Sequence, residues 1–261
     1  MPSNYAHYRF GVEMLQLMPG DIRRTVNRFR RLYDMGLHGP DVFFYYNPLH
    51  QTKTGEMGRR IHKQSGADLF MRICRSLRME PSEGGEAYLY GLLTHYCLDS
   101  LCHPYVIETA TQAGLAHGEI EAEFERFLLE KDGKIPACAQ DLSPHMQLTP
   151  GECEIVARLY SGVKAGQVQL AVKNMALITK LLAVPAGVRR SAYKKGLGLV
   201  SKTYAGLMVP SREDPRYEET NTQLLARYET AKETYPVLLE QLSAHLTYNA
   251  PLDGDFAADF G

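Results

Sequence analysis

The sequence predicts an all-α protein built as one multi-helix domain. Apolar residues recur at intervals of three and four over long stretches, whereas alternating runs rich in Val, Ile and Thr are hard to find. Thr149, followed by Pro150 and then by Glu152, has the pattern of a helix start with a capping box. With 261 residues, 44% of them hydrophobic, the chain is long enough for one large core.

Eight helices are predicted in chain order, at residues 9–17, 21–35, 56–78, 84–108, 118–131, 151–182, 188–207 and 214–246. Pro19 and Gly20 separate the first two helices, and Pro40 ends the second because proline disfavours helical geometry in the residue before it. A break is expected in the helix at 151–182, near Gly162 or Gly166.

Two later segments carry weaker expectations. Residues 188–207 are basic and rich in small side chains, a composition that suits a membrane interface or close packing on a neighbour, and close packing is favoured. Residues 251–261 are expected to be frayed or loosely docked.

Composition excludes some classes of protein. Lys plus Arg (29) and Asp plus Glu (30) nearly cancel, so no global field draws the chain to nucleic acid or to an anionic membrane. The five cysteines are an odd number without a CxxC pair and do not suggest a disulfide framework. The sequence shows no signal peptide and no apolar run of membrane-spanning length, so a cytoplasmic location is expected.

Metal-ligand side chains follow one another at helical spacing. His95, Asp99 and His103 are each four residues apart, so a helix places them in a row with about 6 Å of axial rise between neighbours. The outer two are about 12 Å apart along the axis, which is too far for one tetrahedral ion. The row suits two or more metals, with Asp99 available to bridge.

A second pair, His117 and Glu121, has the same four-residue spacing near a predicted helix start. Alone it could be an ordinary helix start, just as His95 and Asp99 could be a buried hydrogen-bonded pair and His103 a plain helix end. Five ligand-type residues within 27 positions, in apolar surroundings, favour a metal site.

On these residues the chain resembles the zinc-dependent bacterial phospholipase C family, all-helical phosphodiesterases whose wider superfamily includes zinc-dependent single-strand nucleases. The resemblance covers roughly residues 1–130. It consists of His7, the Gly39-Pro40-Asp41 turn, His95 with Asp99, His103, and His117 with Glu121. By this resemblance residues 1–130 form the helical core with the metal site, and residues 131–261 complete the same domain in a role that stays unassigned.

The resemblance implies two or three zinc ions. The first would be held by His62, His95 and Asp99, the second by His103, His117 and Glu121, and the third by His7 and Asp99; His50 is the alternative to His62. Asp41 corresponds to the acidic residue that positions or deprotonates the attacking water. The family completes the third zinc with an N-terminal Trp, whereas this chain contains no Trp.

The implied function is hydrolysis of a phosphodiester, on the headgroup side of a phospholipid, by a zinc-bound hydroxide. The alternatives are a nuclease or nucleotidase of the same superfamily and a catalytically inactive metal-binding module. A phosphodiester or phospholipid substrate and transient contact with a membrane surface are expected, without a stable nucleic-acid partner; the oligomeric state stays open. For Asp41 the competing interpretation is a simple cap of the segment 42–46.

Overall fold

The computed structural model describes residues 4–252 and 254–260, and it confirms the all-α prediction: within these ranges the chain forms helices and no strand. The α-helices are α1 Asn4–Met14, α2 Gly20–Arg28, α3 Arg30–Gly36, α4 Lys53–His62, α5 Gly66–Met79, α6 Glu83–Ala113, α7 His117–Lys131, α8 Pro150–Leu159, α9 Ala165–Leu182, α10 Val188–Val200, α11 Lys202–Gly206 and α12 Glu218–Tyr248. Short 3-10 helices lie at Gly39–Tyr45, Ala137–Ala139, Pro215–Tyr217 and Gly254–Phe256.

Several predicted helix boundaries are wrong because tertiary contacts break the helix where local propensity does not. The predicted helix at 21–35 divides at Phe29, the one at 56–78 divides after His62, and the one at 188–207 divides at Ser201, whose side chain accepts a hydrogen bond from the Tyr204 amide and so caps α11. The break expected near Gly162 is confirmed, and Gly162 has φ of +81°.

Helix α6 runs through the centre of the molecule and is buried on nearly every side over its first two thirds. It continues through Pro104 to Ala113, so the interpretation of His103 as a helix end is wrong. The second long helix, α12, packs against it and places Tyr228 and Tyr235 edge-on to Phe10 of α1, at ring-centroid distances of 5.2 and 6.4 Å. A single hydrophobic core therefore joins the two halves of the chain.

Helices α3 and α6 cross with their backbones in contact. A Cβ atom on Gly91 would lie 2.2 Å from the carbonyl oxygen of Tyr33, and one on Gly36 would lie 2.3 Å from that of Tyr88. Only glycine permits such an approach. The crossing brings Leu37, which follows α3, next to the centre of α6.

The C-terminal segment is docked, so the expectation of a frayed end is wrong for its described residues; Asp253 and Gly261 lie outside them. Phe256 and Phe260 are fully buried, and the Phe256 ring stacks on Tyr96 of α6 at 5.7 Å. The Gly66 amide donates a hydrogen bond to the Ala258 carbonyl at 2.8 Å. Aromatic burial outweighs the chain entropy that favours fraying.

Among the described helices, none has both the length and the apolar character needed to cross a membrane.

Candidate metal centre

Helix α6 supplies the middle of the site. His95 and Asp99 are fully buried and His103 is nearly so, all on the helix face that the spacing predicted. The Asp99 carboxylate lies between two imidazoles, with Oδ2 3.1 Å from His95 Nε2 and Oδ1 3.4 Å from Nε2 of His7 in α1. The His7 and His95 rings stack at 4.3 Å. We call His7, His95 and Asp99 the Asp99 group.

A second set of side chains meets on the other side of His95. Asp41 lies in the 3-10 helix Gly39–Tyr45, and its Oδ1 is 2.7 Å from Nε2 of His62, the last residue of α4. Gly39 has φ of +48°, and a Cβ atom there would lie 2.6 Å from the His95 ring, so this turn requires glycine on both counts. We call Asp41, His62 and His95 the Asp41 group.

The third set joins the end of α6 to the start of α7. Glu121 Oε1 is 2.9 Å from His117 Nε2 and 3.8 Å from His103 Nε2, and the two imidazole rings lie 4.8 Å apart. The side chains of Glu121 and His103 are buried, whereas that of His117 is 36% exposed. We call His103, His117 and Glu121 the Glu121 group, and it is the part of the centre that is open to solvent.

In each of the three groups, one potential ligand atom from every member lies within 4.8 Å of the others. All eight residues predicted for the site are therefore brought together. The grouping differs from the expected one in one respect: His62 is grouped with Asp41, while Asp99 is grouped with His7. His95 belongs to both groups.

Two expectations for individual residues fail. His50, the alternative to His62, is exposed in a turn and belongs to none of the groups. The capping role considered for Asp41 is not observed: the 3-10 helix Gly39–Tyr45 has no side-chain cap, and the Asp41 carboxylate faces His62.

Backbone carbonyls fix how two of the imidazoles present themselves. His95 Nδ1 donates to the Leu37 carbonyl at 3.1 Å, and His62 Nδ1 donates to the Gly58 carbonyl at 2.8 Å. A carbonyl can only accept, so the Nδ1 atoms carry the protons and both Nε2 atoms face carboxylate oxygens. A lone pair facing a carboxylate is repulsive unless a proton or a cation lies between them. Carbonyl-held imidazoles of this kind are typical of metal ligands.

Burial and charge set the protonation states. Burial by itself would raise the pKa of Asp99, but His95 and His7 hold that pKa well below its ordinary value. His62 outweighs burial in the same way and lowers the pKa of Asp41. Burial lowers the pKa of His7, and it lowers that of His103 to about 4. Ionised carboxylates and neutral imidazoles are the states that metal ligands need.

Several polar atoms of the centre lie within ion-pair distance of one another but make no hydrogen bond within the described part of the chain. They are both carboxylate oxygens of Asp99, Oδ1 of Asp41, and Nε2 of His7, His62 and His95. Buried polar atoms without hydrogen bonds are costly, and a divalent cation would compensate them. Imidazole nitrogen with carboxylate oxygen is a ligand set that zinc accepts, so the residues present fit zinc.

The sequence interpretation missed a second histidine pair beside this centre. His38 Nε2 lies 2.8 Å from Nε2 of His145, a residue of the loop before α8, and Tyr8 stacks on His145 with ring centroids 4.1 Å apart. Burial lowers the pKa of both, that of His145 to about 4. No spacing signal links His38 to His145, because they lie more than a hundred residues apart in the chain.

Phe260 was missed as well. Its ring lies 5.9 Å from that of His95 and 6.0 Å from that of His62, and its backbone amide donates to the His62 carbonyl at 3.2 Å. The C-terminal segment therefore forms part of the wall behind the Asp41 group.

The helical architecture and the three histidine–carboxylate groups define the class: an all-helical protein with a candidate centre for several metal ions. The chain belongs to the zinc dependent phospholipase C family, since the family model of that description matches residues 6–165, more than half of its length. The match contains all eight predicted site residues and extends beyond residue 130, where the resemblance was expected to end. No curated protein and no solved structure matches the chain.

Proposed function

We propose that the protein is a zinc-dependent phosphodiesterase that hydrolyses a phospholipid on the headgroup side, giving an alcohol and a phosphomonoester. The observation that carries the proposal is the convergence of three histidine–carboxylate groups, with ionised and almost fully buried carboxylates, around the one imidazole of His95. Such a constellation suits a reaction in which negative charge grows on phosphate oxygens.

The ligand assignment follows the groups. One zinc would be held by Asp41, His62 and His95, a second by His103, His117 and Glu121, and a third by His7 and Asp99. When bound, zinc neutralises developing negative charge and lowers the pKa of a water molecule toward neutrality. The family supports zinc itself, and the choice between two and three ions is part of the proposal.

Asp41 is the proposed catalytic carboxylate. The low pKa that His62 gives it makes Asp41 a poor proton acceptor but a permanent hydrogen-bond acceptor, so its role is to orient the attacking water. The water attacks phosphorus, the bond from phosphorus to the alcohol oxygen breaks, and the proton released from the water ends on the departing alkoxide. His62, anchored on the Gly58 carbonyl, keeps the Asp41 carboxylate in one orientation.

The shape of the opening favours a phospholipid over a nucleotide. A cleft of about 560 Å³ leads to His117 and Glu121, and backbone and aliphatic groups form much of its wall, among them Leu207. Lys194 and Lys202 lie on the same wall. A phosphate between lysines with an acyl-bearing alcohol against aliphatic carbon matches this lining, whereas bases generally stack on aromatic side chains.

A substrate panel tests the proposal. Zinc-loaded protein is incubated with a short-chain phosphatidylcholine, a short single-stranded DNA and a small phosphodiester, and zinc is quantified by elemental analysis. We expect hydrolysis of the phosphatidylcholine and its loss in Asp99→Asn, which should also lose zinc, whereas His50→Ala should retain both. Cleavage of DNA alone would establish the nuclease alternative. Full zinc content without hydrolysis of any ester would establish the inactive module.

A further inference from the structure

We propose that the outward face of α10, together with α11, docks on an anionic phospholipid membrane beside the Glu121 group. The inference deepens the proposed function, on which its meaning for catalysis rests, but the binding can be measured separately. It concerns residues 188–206, which lie outside the range that the family model matches.

The first argument is a segregation of charge. Residues 155–212 contain ten Lys or Arg residues and no Asp or Glu, although the whole chain has a net charge of -1. Five of the ten lie in α10 and α11: Arg189, Arg190, Lys194, Lys195 and Lys202. Each basic residue near an anionic bilayer contributes roughly 1 kcal/mol to binding. Near-neutrality of the whole chain therefore conceals a strongly basic segment.

The second argument is an apolar helix face that no described part of the protein covers. Val188, Ala192, Lys195 and Leu199 share one side of α10, because their spacing of four, three and four residues matches the helix period. Val188 is 90% exposed and Leu199 is 91% exposed. The close packing expected of this segment is therefore wrong for its outward face.

The opposite side of α10 is fastened to the protein. Arg190 is the one buried residue of the helix, and its guanidinium donates hydrogen bonds to the carbonyls of Val184 and Val209. These bonds hold the helix with Val188 and Leu199 outward. Val200, at the C-terminal end of α10, is also 66% exposed, so aliphatic side chains extend to the tip.

The docking face adjoins the candidate centre. The cleft that reaches His117 and Glu121 is lined on its other side by Lys194 and Gly198 of α10 and by Lys202 of α11. Lys194 Nζ is 3.9 Å from Glu119 of α7, which ties the two helices together across the cleft. A lipid headgroup at the surface of a docked bilayer would therefore lie next to the open Glu121 group.

A membrane fits this face better than nucleic acid does. Binding sites for single strands combine basic grooves with aromatic stacking platforms, whereas α10 carries a single aromatic residue, Tyr193. Exposed aliphatic side chains among lysines are typical of helices that lie in the interface of an anionic bilayer. Val188 and Leu199 would enter the boundary between headgroups and acyl chains, with Arg189 and Lys195 at the phosphates.

Vesicle co-sedimentation of the zinc-loaded full chain tests the proposal. Vesicles of phosphatidylcholine alone are compared with vesicles containing one third phosphatidylserine. We expect the wild type to bind the anionic vesicles at least tenfold more tightly. Val188→Asp with Leu199→Asp, and separately Arg189→Gln with Lys195→Gln, should each weaken that binding at least fivefold. Matched controls are Leu17→Asp with Val237→Asp at exposed apolar positions and Arg23→Gln with Arg24→Gln on α2, which should bind as the wild type does.

Circular dichroism verifies that each variant is folded, and hydrolysis of a soluble short-chain substrate is measured in parallel. Soluble hydrolysis without binding to anionic vesicles would overturn the docking and leave the proposed function intact. Vesicle binding that depends on α10, without hydrolysis, would support the docking and refute the proposed function. Equal binding to both kinds of vesicle, equal effects of the control variants, or binding to single-stranded DNA in place of vesicles would each overturn the docking.

Discussion

Nε2 of His62 lies 2.7 Å from Oδ1 of Asp41, a contact that ties the end of α4 to the 3-10 helix Gly39–Tyr45. It makes Asp41 a member of a ligand-type group, in addition to its proposed part in orienting water. The structure therefore indicates that the carboxylate and the metal site cannot be separated by mutation.

Asp41→Asn should lower both zinc affinity and activity. The amide keeps the size of the side chain but loses the charge that pairs with His62, and loss of a ligand or its orienting partner typically weakens metal affinity 10- to 100-fold or more. Zinc affinity by competition with a chromophoric chelator and hydrolysis of a soluble diester measure the two effects. Unchanged zinc affinity with abolished activity would show that Asp41 acts on water alone.

Gly91→Ala should destabilise the fold by about 1 to 3 kcal/mol or more, because its Cβ atom would lie 2.2 Å from the Tyr33 carbonyl and force α3 away from α6. Urea unfolding of the zinc-free protein measures the change. Gly196→Ala is the matched control: a Cβ atom there meets no described atom within 4 Å, so the free energy of unfolding should stay constant or rise by about 0.5 to 1 kcal/mol. Equal effects at both glycines would refute the backbone contact.

Phe260→Ala should cost about 3 to 5 kcal/mol of stability, as is usual for a buried aromatic side chain. The ring also packs near His62 and His95, so zinc affinity should fall with it. Thermal unfolding and chelator competition measure the two effects. Tyr248→Ala, at a side chain that is 82% exposed, should change neither. Wild-type stability in the Phe260 variant would mean that the C-terminal segment does not dock as described.

His145 should make the zinc-free protein less stable in acid. Burial lowers its pKa to about 4, below the value of about 6.5 in an unfolded chain, so between these values the unfolded state binds more protons. The free energy of unfolding thus rises with pH in this window and is lost as pH falls. From pH 7 to pH 4.5 the wild type should lose about 2 to 3 kcal/mol more than His145→Asn. The exposed-site control, His50→Asn, should lose as much as the wild type.

The part of the site that lies within single helices was predictable from the sequence. His95 and Asp99, like His117 and Glu121, are four residues apart, and a helix fixes such neighbours on one face whatever packs around them. The family resemblance added His7, Asp41 and His62. The structure places all of these together, although their roles as ligands stay predictions.

What could not be predicted depends on contacts between distant segments. The pair of His38 and His145 and the docking of Phe260 join residues that share no period, and the division of a helix at Phe29 follows from packing, since neither glycine nor proline stands there. The outward orientation of α10 likewise required knowledge of how Arg190 is bonded.

The position of His95 in two groups limits how the ions share the centre. Its Nδ1 is committed to the Leu37 carbonyl, so only the single lone pair on Nε2 remains, and one cation alone can take it. Whichever group goes without that imidazole keeps two protein ligands from its own set and must complete its coordination elsewhere. The metals are therefore inequivalent, and a chelator should strip them from the protein in sequence, beginning with the ion that lacks His95.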